Sequence, residues 1–315
     1  MNTWESWADG KAWANPKLSA KIHKEALPLL KFQQFVDIPD DFGPSMGSEY
    51  YYAIEQALSP GPITLASNQL AETGDIPLDD WNHLRRSITV QEWGRGASWT
   101  KKHAILSKWS IDSKTRGKLK DHYVQVMDLG AATALRATNT YYIPTGVAAG
   151  TYGNDGSPGA AATANLTLWH LEEIHDYLSD TLKVEPWDAD GSYMAILNGK
   201  AWRSLFRDST VEEVQKYADA LGRMNGELGR LAGFRIIHTN NTTSLPNVAA
   251  GCGGGLFFGK DAVTHPVVVP PTLLSENTGR FGRFLRVAWW GLWNWGITWT
   301  YTTDSGSRVI RLAST

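Results

Sequence analysis

Two hydrophobic periods run along this chain, and the places where one gives way to the other mark its organisation. Between residues 46 and 104 the apolar positions come in short strand-like runs, YYYAI, PITLA and SITVQEW, separated by turn signals such as SPGP and ETGDIP. Within this stretch RRSITVQEWGRGASWTKK reads as a strand, a glycine turn and a returning strand. Few of these residues suit a compact core, and a two-stranded excursion is marginal in isolation. The stretch is therefore expected to lie on another surface.

After Asp112 or Ser113, read as N-cap, the period changes. Leu119, Tyr123, Val126, Met127, Gly130, Ala131, Ala134 and Leu135 recur at spacings of three and four, which predicts one amphipathic helix through about Ala137. Some 25 residues of helix extend roughly 38 Å, and the small residues on the later turns leave room for a close neighbour. Residues 139 to 165 are rich in Gly, Ala, Pro and Ser and read as a surface loop. A helix follows in LTLWHLEEIHDYLSDTL, with Leu168, Leu171, Ile174, Tyr177 and Leu178 as its apolar stripe. The strand GSYMAIL, the helices KAWRSLF and TVEEVQKYADALGRMNGELGRL, and the strand GFRIIHT then alternate, as in a mixed α/β lobe.

Near the C-terminus Val287, Trp289, Trp293, Trp295, Ile297, Trp299 and Tyr301 all fall on odd positions. Period two predicts a strand with an aromatic face, and the DSGS turn followed by RVIRL reads as its hairpin partner. At the other end, residues 1 to 38 read as an arm. It carries Trp4, Trp7 and Trp13, then a short helical pattern after Pro16 that Pro28 interrupts.

Composition narrows the class without naming a function. With 42% hydrophobic and 20% charged residues over 315 positions, the chain is globular and long enough for one large domain or two ordinary ones. A net charge of -2 and a pI near 6.4 lack the basic footprint of a tight nucleic-acid binder. Cys252 is the single cysteine, so no internal disulfide is expected and folding in a reducing compartment is natural. No secretory leader is expected from the first thirty residues. Residues 284 to 299 contain Arg286 and Asn294 and fall short of a spanning helix, so no membrane partner is expected. Fifteen Trp are unusual, and an aromatic strand face is more often core or interface than a platform for sugars or bases.

Candidate chemistry is thin. In WHLEEIHDY, His170 and His175 stand five apart, about 140° around a helix, where a zinc helix needs them four apart; a solvated helix face is expected instead. GGLFFGKD approaches a phosphate loop with Lys260, but Asp261 occupies the hydroxyl position and would repel phosphate, so a glycine-rich turn beside a strand is expected. Asn165, Asn240 and Asn241 begin glycosylation sequons that matter only on a secreted chain. No nucleophile motif stands out around Cys252 or elsewhere, so no catalytic, metal or cofactor site is expected.

The segments VQEWGRGASWTKK, DGSYMAILNGKAWRSLFRD and GELGRLAGFRIIHTNN resemble parts of the major capsid proteins of tailed bacteriophages, in particular the N-four-like podovirus group. The resemblance rests on Gly191, Tyr193 and Ala195 in one passage and on Glu227, Leu228, Gly229, Gly233, Phe234 and Arg235 in another. The order of arm, β excursion, long helix, mixed lobe and closing strands also resembles the Hong Kong 97-type fold, across nearly the whole chain.

That resemblance implies an α+β fold with an N-terminal arm (1–38), an extended β E-loop (46–104), a P-domain with a long spine helix (105–138 plus 276–315) and a mixed α/β A-domain (139–275). It implies a structural protein, not an enzyme, that assembles with itself into pentamers and hexamers of an icosahedral virion capsid in the bacterial cytoplasm. Portal, scaffold or decoration proteins, and weakly held double-stranded DNA, would be the other partners. Candidate inter-subunit contacts are Trp4, Trp7, Trp13, Arg85, Arg86, Trp93, Arg95, Trp99, Lys101 and Lys102. Two other expectations compete: an α/β hydrolytic enzyme with a Trp-lined cleft, and an encapsulin-like compartment of the same fold.

Overall fold

The computed structural model describes residues 27–28, 30–55, 69–70, 83–156, 162–218, 229–246, 253–279, 281–299 and 308–314. The helical pattern after Pro16, the strand PITLA and the later part of the TVEEVQKYADALGRMNGELGRL helix lie outside these residues.

Strands β1 (Glu49–Glu55) and β2 (His83–Thr89) pair antiparallel as a two-stranded ribbon. The chain then passes Val90 into β3 (Gln91–Thr100) without the expected glycine turn. Gly94 and Gly96 lie inside β3 because its partner strand approaches closely. A Cβ on Gly94 would stand 3.0 Å from the Trp289 carbonyl oxygen, and one on Gly96 3.1 Å from the Ala288 Cβ. A short helix α1 (Lys101–Leu106) is capped by the Thr100 hydroxyl, which accepts from the His103 N–H.

The long helix α2 (Ile111–Arg136) has 26 residues and begins a little earlier than the pattern suggests, after Ser110. Its buried residues Leu119, Met127, Ala131, Ala134 and Leu135 are the expected stripe. Gly130 meets the Trp295 indole directly, so a Cβ there would lie 2.4 Å from the ring.

The supposed loop after α2 contains a hairpin, β4 (Tyr141–Gly146) and β5 (Ala149–Gly153). Helix α3 (Leu168–Asp176) passes into a π-helical turn at Tyr177–Thr181, and β6 (Tyr193–Asn198) follows. Next come α4 (Gly199–Phe206), α5 (Ser209–Ala218), β7 (Arg230–Leu231), β8 (Phe234–Thr239) and β9 (Gly253–Phe258). Short β10 (Val263–Thr264) leads to β11 (Val267–Gly279), β12 (Phe284–Trp293), short β13 (Gly296–Ile297) and β14 (Val309–Ser314).

Three of these strands form a sheet in the order β11-β12-β3. A seven-stranded mixed sheet runs β5-β4-β14-β9-β6-β8-β7. The expected hairpin between the Trp-rich strand and RVIRL is therefore wrong. β14 pairs with β9 and β4, while β12 pairs with β11 and β3. The reason lies in the side chains: Val309, Ile310, Leu312 and Ala313 are all buried, so β14 needs cover on both faces and finds it inside the large sheet.

That sheet divides two cores. Met194, Ile196, Leu256, Phe258 and Val309 point to one side, against α2, the aromatic face of β12 and the arm residues Phe32 and Phe35. Tyr193, Ala195, Leu197, Phe257, Ile310 and Leu312 point to the other, against α3, α4 and Val211. Alternate residues of β6 thus feed different cores, as strand geometry requires.

Candidate inter-subunit surface

One face of the β1–β2 ribbon is turned to the rest of the chain. Tyr52 donates its hydroxyl to the Thr298 carbonyl at 3.0 Å, and the Asn294 amide donates to the Thr89 carbonyl at 2.6 Å. Ile54 and Ile88, on the same face of the ribbon as Tyr52, are buried, whereas Tyr51 is half exposed. The Arg85 guanidinium lies 3.9 Å from the Tyr51 ring centroid, a cation–π pair on the open face of the ribbon.

The candidate contact residues separate into three groups. Trp4, Trp7 and Trp13 lie outside the described residues. Arg85, Arg95, Lys101 and Lys102 are exposed and Arg86 is half-buried, but Arg85 and Arg86 sit on the ribbon while Arg95, Lys101 and Lys102 sit on β3 and α1. The structure does not gather them into one cationic patch.

Trp93 and Trp99 are committed to their own chain. Trp93 is half-buried, donates its indole N–H to the Trp293 carbonyl at 2.9 Å and meets Trp295 edge-on. Trp99 is 1% exposed inside the first core, which corrects the expectation that it contacts a neighbour. Strand β3 as a whole is likewise part of the chain's own sheet, so the free β excursion is shorter than residues 46 to 104.

Other surface features escaped the sequence reading. Leu273 and Leu274 stand out from β11, and Phe281 at the tip of the β11–β12 hairpin is fully exposed. The outer face of the three-stranded sheet holds a shallow trough of about 560 Å³, floored by Gly96, Ser98 and Ala288 and flanked by Leu274. An Arg286–Glu276 ion pair of 3.6 Å lies at one end, and the Trp290 indole donates to the Glu92 carboxylate nearby. The signals for this face were the VVV run and the NTGRFGR tip, but Pro270 and Pro271 disguised β11.

Chemistry of the catalytic kind is not assembled by the features that the sequence singled out. His170 is fully buried and not solvated as expected. Its Nδ1 accepts from the Thr167 N–H at 3.0 Å, and its Nε2 lies 3.2 Å from the Ala149 carbonyl, so it caps α3 and packs against the β4–β5 hairpin. GGLFFGKD is β9 and a turn in which Lys260 pairs with Glu185. Among the described residues no three His, Cys, Asp or Glu cluster as a metal site, and no helix is long and apolar enough to cross a membrane. The aromatic face of β12 is interior: Trp289 and Trp293 stack at 6.0 Å in the first core, where Trp293 also borders a cavity beside α2.

No family model and no curated protein matches the sequence. Solved structures do match, over nearly their whole length. The cyanophage Pam1 capsid subunit superposes with a TM-score of 0.70 at 13% identity, covering 95% of this chain and 96% of that one. The capsid of Helicobacter pylori bacteriophage KHP30 gives 0.69 at 14% identity, covering 95% of each chain. Mycobacterium phage Che8 gives 0.65 at 15%, covering 95% and 96%. This chain has the Hong Kong 97-type capsid fold.

Besides the ribbon and the β11–β12 hairpin tip, a third feature is the entry of the arm onto the long helix. That entry is fixed by Asp128, a carboxylate on α2 that is 1% exposed. It accepts from the Phe32 N–H at 2.7 Å and from the Asn241 amide and Ser244 hydroxyl at 3.2 Å each. One buried charge thereby ties the arm, the long helix and the turn after β8. Its isolated position in an apolar stripe was the signal available in the sequence.

Proposed function

We propose that the protein is a major capsid protein: copies of it assemble into pentamers and hexamers of an icosahedral shell that encloses double-stranded phage DNA in the virion. The observation that carries this reading is the match to phage capsid subunits over some 95% of both chains. A binding module grafted onto an unrelated body would match over one part only. The ribbon supports the same reading, because two strands with exposed aromatic and charged side chains gain stability from a second surface.

Heterologous contacts between identical copies close into rings or shells. A net charge of -2 suits a container whose contact with DNA is weak and nonspecific, and assembly would proceed in the bacterial cytoplasm with portal and scaffold or decoration proteins as partners. The role is structural and needs no catalytic group. An encapsulin-like compartment of the same fold is distinguished by its cargo.

Sedimentation of the purified full chain, with negative-stain microscopy of the fractions, tests the proposal. Closed particles or capsomer-sized rings are expected. A species of 34.8 kDa that stays single at every concentration would refute it.

A further inference from the structure

Phe281 is 106% exposed, and its backbone φ is +60°, a left-handed conformation that a bulky L-residue adopts only under constraint. Gly282 follows with φ +75°, and the flanking pair Gly279↔Phe284 closes the hairpin. Folding alone gains nothing from an aromatic ring held in water on a strained turn. Arg283, also exposed, stands beside it, with its carbonyl held by the Lys101 N–H at 2.9 Å. The tip is a knob with a basic shoulder at the end of the β11–β12 hairpin.

A matching hole lies elsewhere on the same chain. Leu30, Ile38, Tyr123, Val124, Met127 and Trp293 line a largely apolar cavity of about 640 Å³ between the arm entry, α2 and the base of β11. Ile38 and Val124 at its mouth are 52% and 38% exposed, so it is open to a visitor. Asp37 adjoins Ile38 at the mouth and feels Asp261 and Asp40, with Lys260 opposing them; Lys31 also lines the cavity.

The knob cannot reach the hole of its own chain. Trp293 and Val267 sit at the base of the β11–β12 hairpin, and Phe281 lies beyond its far end. Nine strand steps from Phe284 to Trp293 separate the two by roughly 30 Å. We propose that Phe281 of one copy inserts into the cavity bounded by Ile38, Val124, Met127 and Trp293 of a second copy, with Arg283 meeting Asp37 beside its mouth. Knob and hole lie at opposite ends of the β11–β12 hairpin and are different patches, so the contact is heterologous and propagates around a ring or across a shell. An aromatic anchor in an apolar pocket with a polar rim is the usual anatomy of an interface hot spot.

The inference rests on the shell reading for its supply of copies, and the experiment separates the two. In a Cys252→Ser background, Phe281→Cys and Val124→Cys are placed in different chains, mixed under assembly conditions and oxidised. A disulfide-linked dimer that forms in the mixture, and in neither chain alone beyond trace, is the expected result. Phe281→Gly in the full chain should leave the circular dichroism and melting temperature of the unassembled protein unchanged or higher, since the left-handed strain is relieved, while raising the concentration needed for assembly at least about tenfold. Particles that form without the cross-link, and at the unaltered concentration in Phe281→Gly, would overturn the knob and leave the shell reading standing. A chain that never associates would overturn both.

Discussion

Replacing Asp128 with Ala strikes the point where three separate segments meet. The Phe32 N–H, the Asn241 amide and the Ser244 hydroxyl all point at its carboxylate, at 2.7, 3.2 and 3.2 Å, and at 1% exposure little water can take its place. The short bond from the Phe32 main chain to a charged acceptor is worth about 1.5–3 kcal/mol. The two longer bonds add about 1 kcal/mol each, and Asn241 keeps its 2.8 Å bond to Ser244. Removing a buried charge returns part of its desolvation cost, so the net loss is about 3 kcal/mol. In a chain of this size that lowers the melting temperature by about 5 °C.

The loss has a local signature as well. Phe32 is fully buried beside Phe35 in the first core, so its amide should exchange slowly in the unsubstituted chain and much faster in Asp128→Ala. Asp128→Asn keeps an acceptor for Phe32 but presents a second amide to Asn241, and should lose about half as much. Thermal unfolding of the dissociated chain, followed by circular dichroism, and amide exchange at Phe32 measure both effects. An Asp128→Ala chain that melts within 2 °C of the parent, with Phe32 still protected, would refute the idea that this carboxylate fastens the arm; the 2 °C threshold is about 1 kcal/mol.

Three further outcomes are expected. Trp99→Ala should cost about 3–5 kcal/mol in urea unfolding of the dissociated chain, because the ring fills its own chain's core; an effect confined to assembly would restore it as an inter-subunit contact. Gly130→Ala should lower the melting temperature despite Ala's better helix propensity, since the added methyl meets the Trp295 ring at 2.4 Å. His265, which is buried, donates from Nδ1 to the Asn294 carbonyl at 2.7 Å and stacks on Trp295; burial pushes its pKa down to about 4 against that bond's opposing pull. The unfolded chain takes up this proton near pH 6.5 and the folded chain only near 4, so stability falls by about 3 kcal/mol as pH drops through that window, and His265→Gln should flatten the dependence in denaturant titrations.

What the sequence revealed was local, and what it hid was pairing. Helix α2 was legible because its stripe repeats over 26 residues, and the inward face of β12 because Val287, Trp289 and Trp293 alternate. Partner choice is decided by residues far apart in the chain. RVIRL follows a turn signal and was assigned to the nearest strand, whereas the burial of Val309 and Ile310 on opposite faces calls for a strand between two layers. The glycines of β3 looked like a turn because close approach of β12 and a reversal of direction call for the same residue.

The candidate surface was harder still. A charged side chain in a sequence says nothing of whether its neighbours share its face, and Arg85 and Arg95 prove to lie on different sheets. Aromatic residues drew attention as contacts, yet Trp99 is interior while Phe281, an ordinary residue in the NTGRFGR turn, is the one presented to solvent. Exposure of this kind follows from the hairpin's position at the end of β11 and β12, which Pro270 and Pro271 obscured.

Electron cryomicroscopy of the assembled protein, at a resolution that traces the chain, tests the central claim most directly. A closed shell of five- and six-fold rings, with the β1–β2 ribbon of each copy lying across an adjoining one, is the predicted result. Discrete single molecules in which the ribbon contacts only its own chain would contradict it.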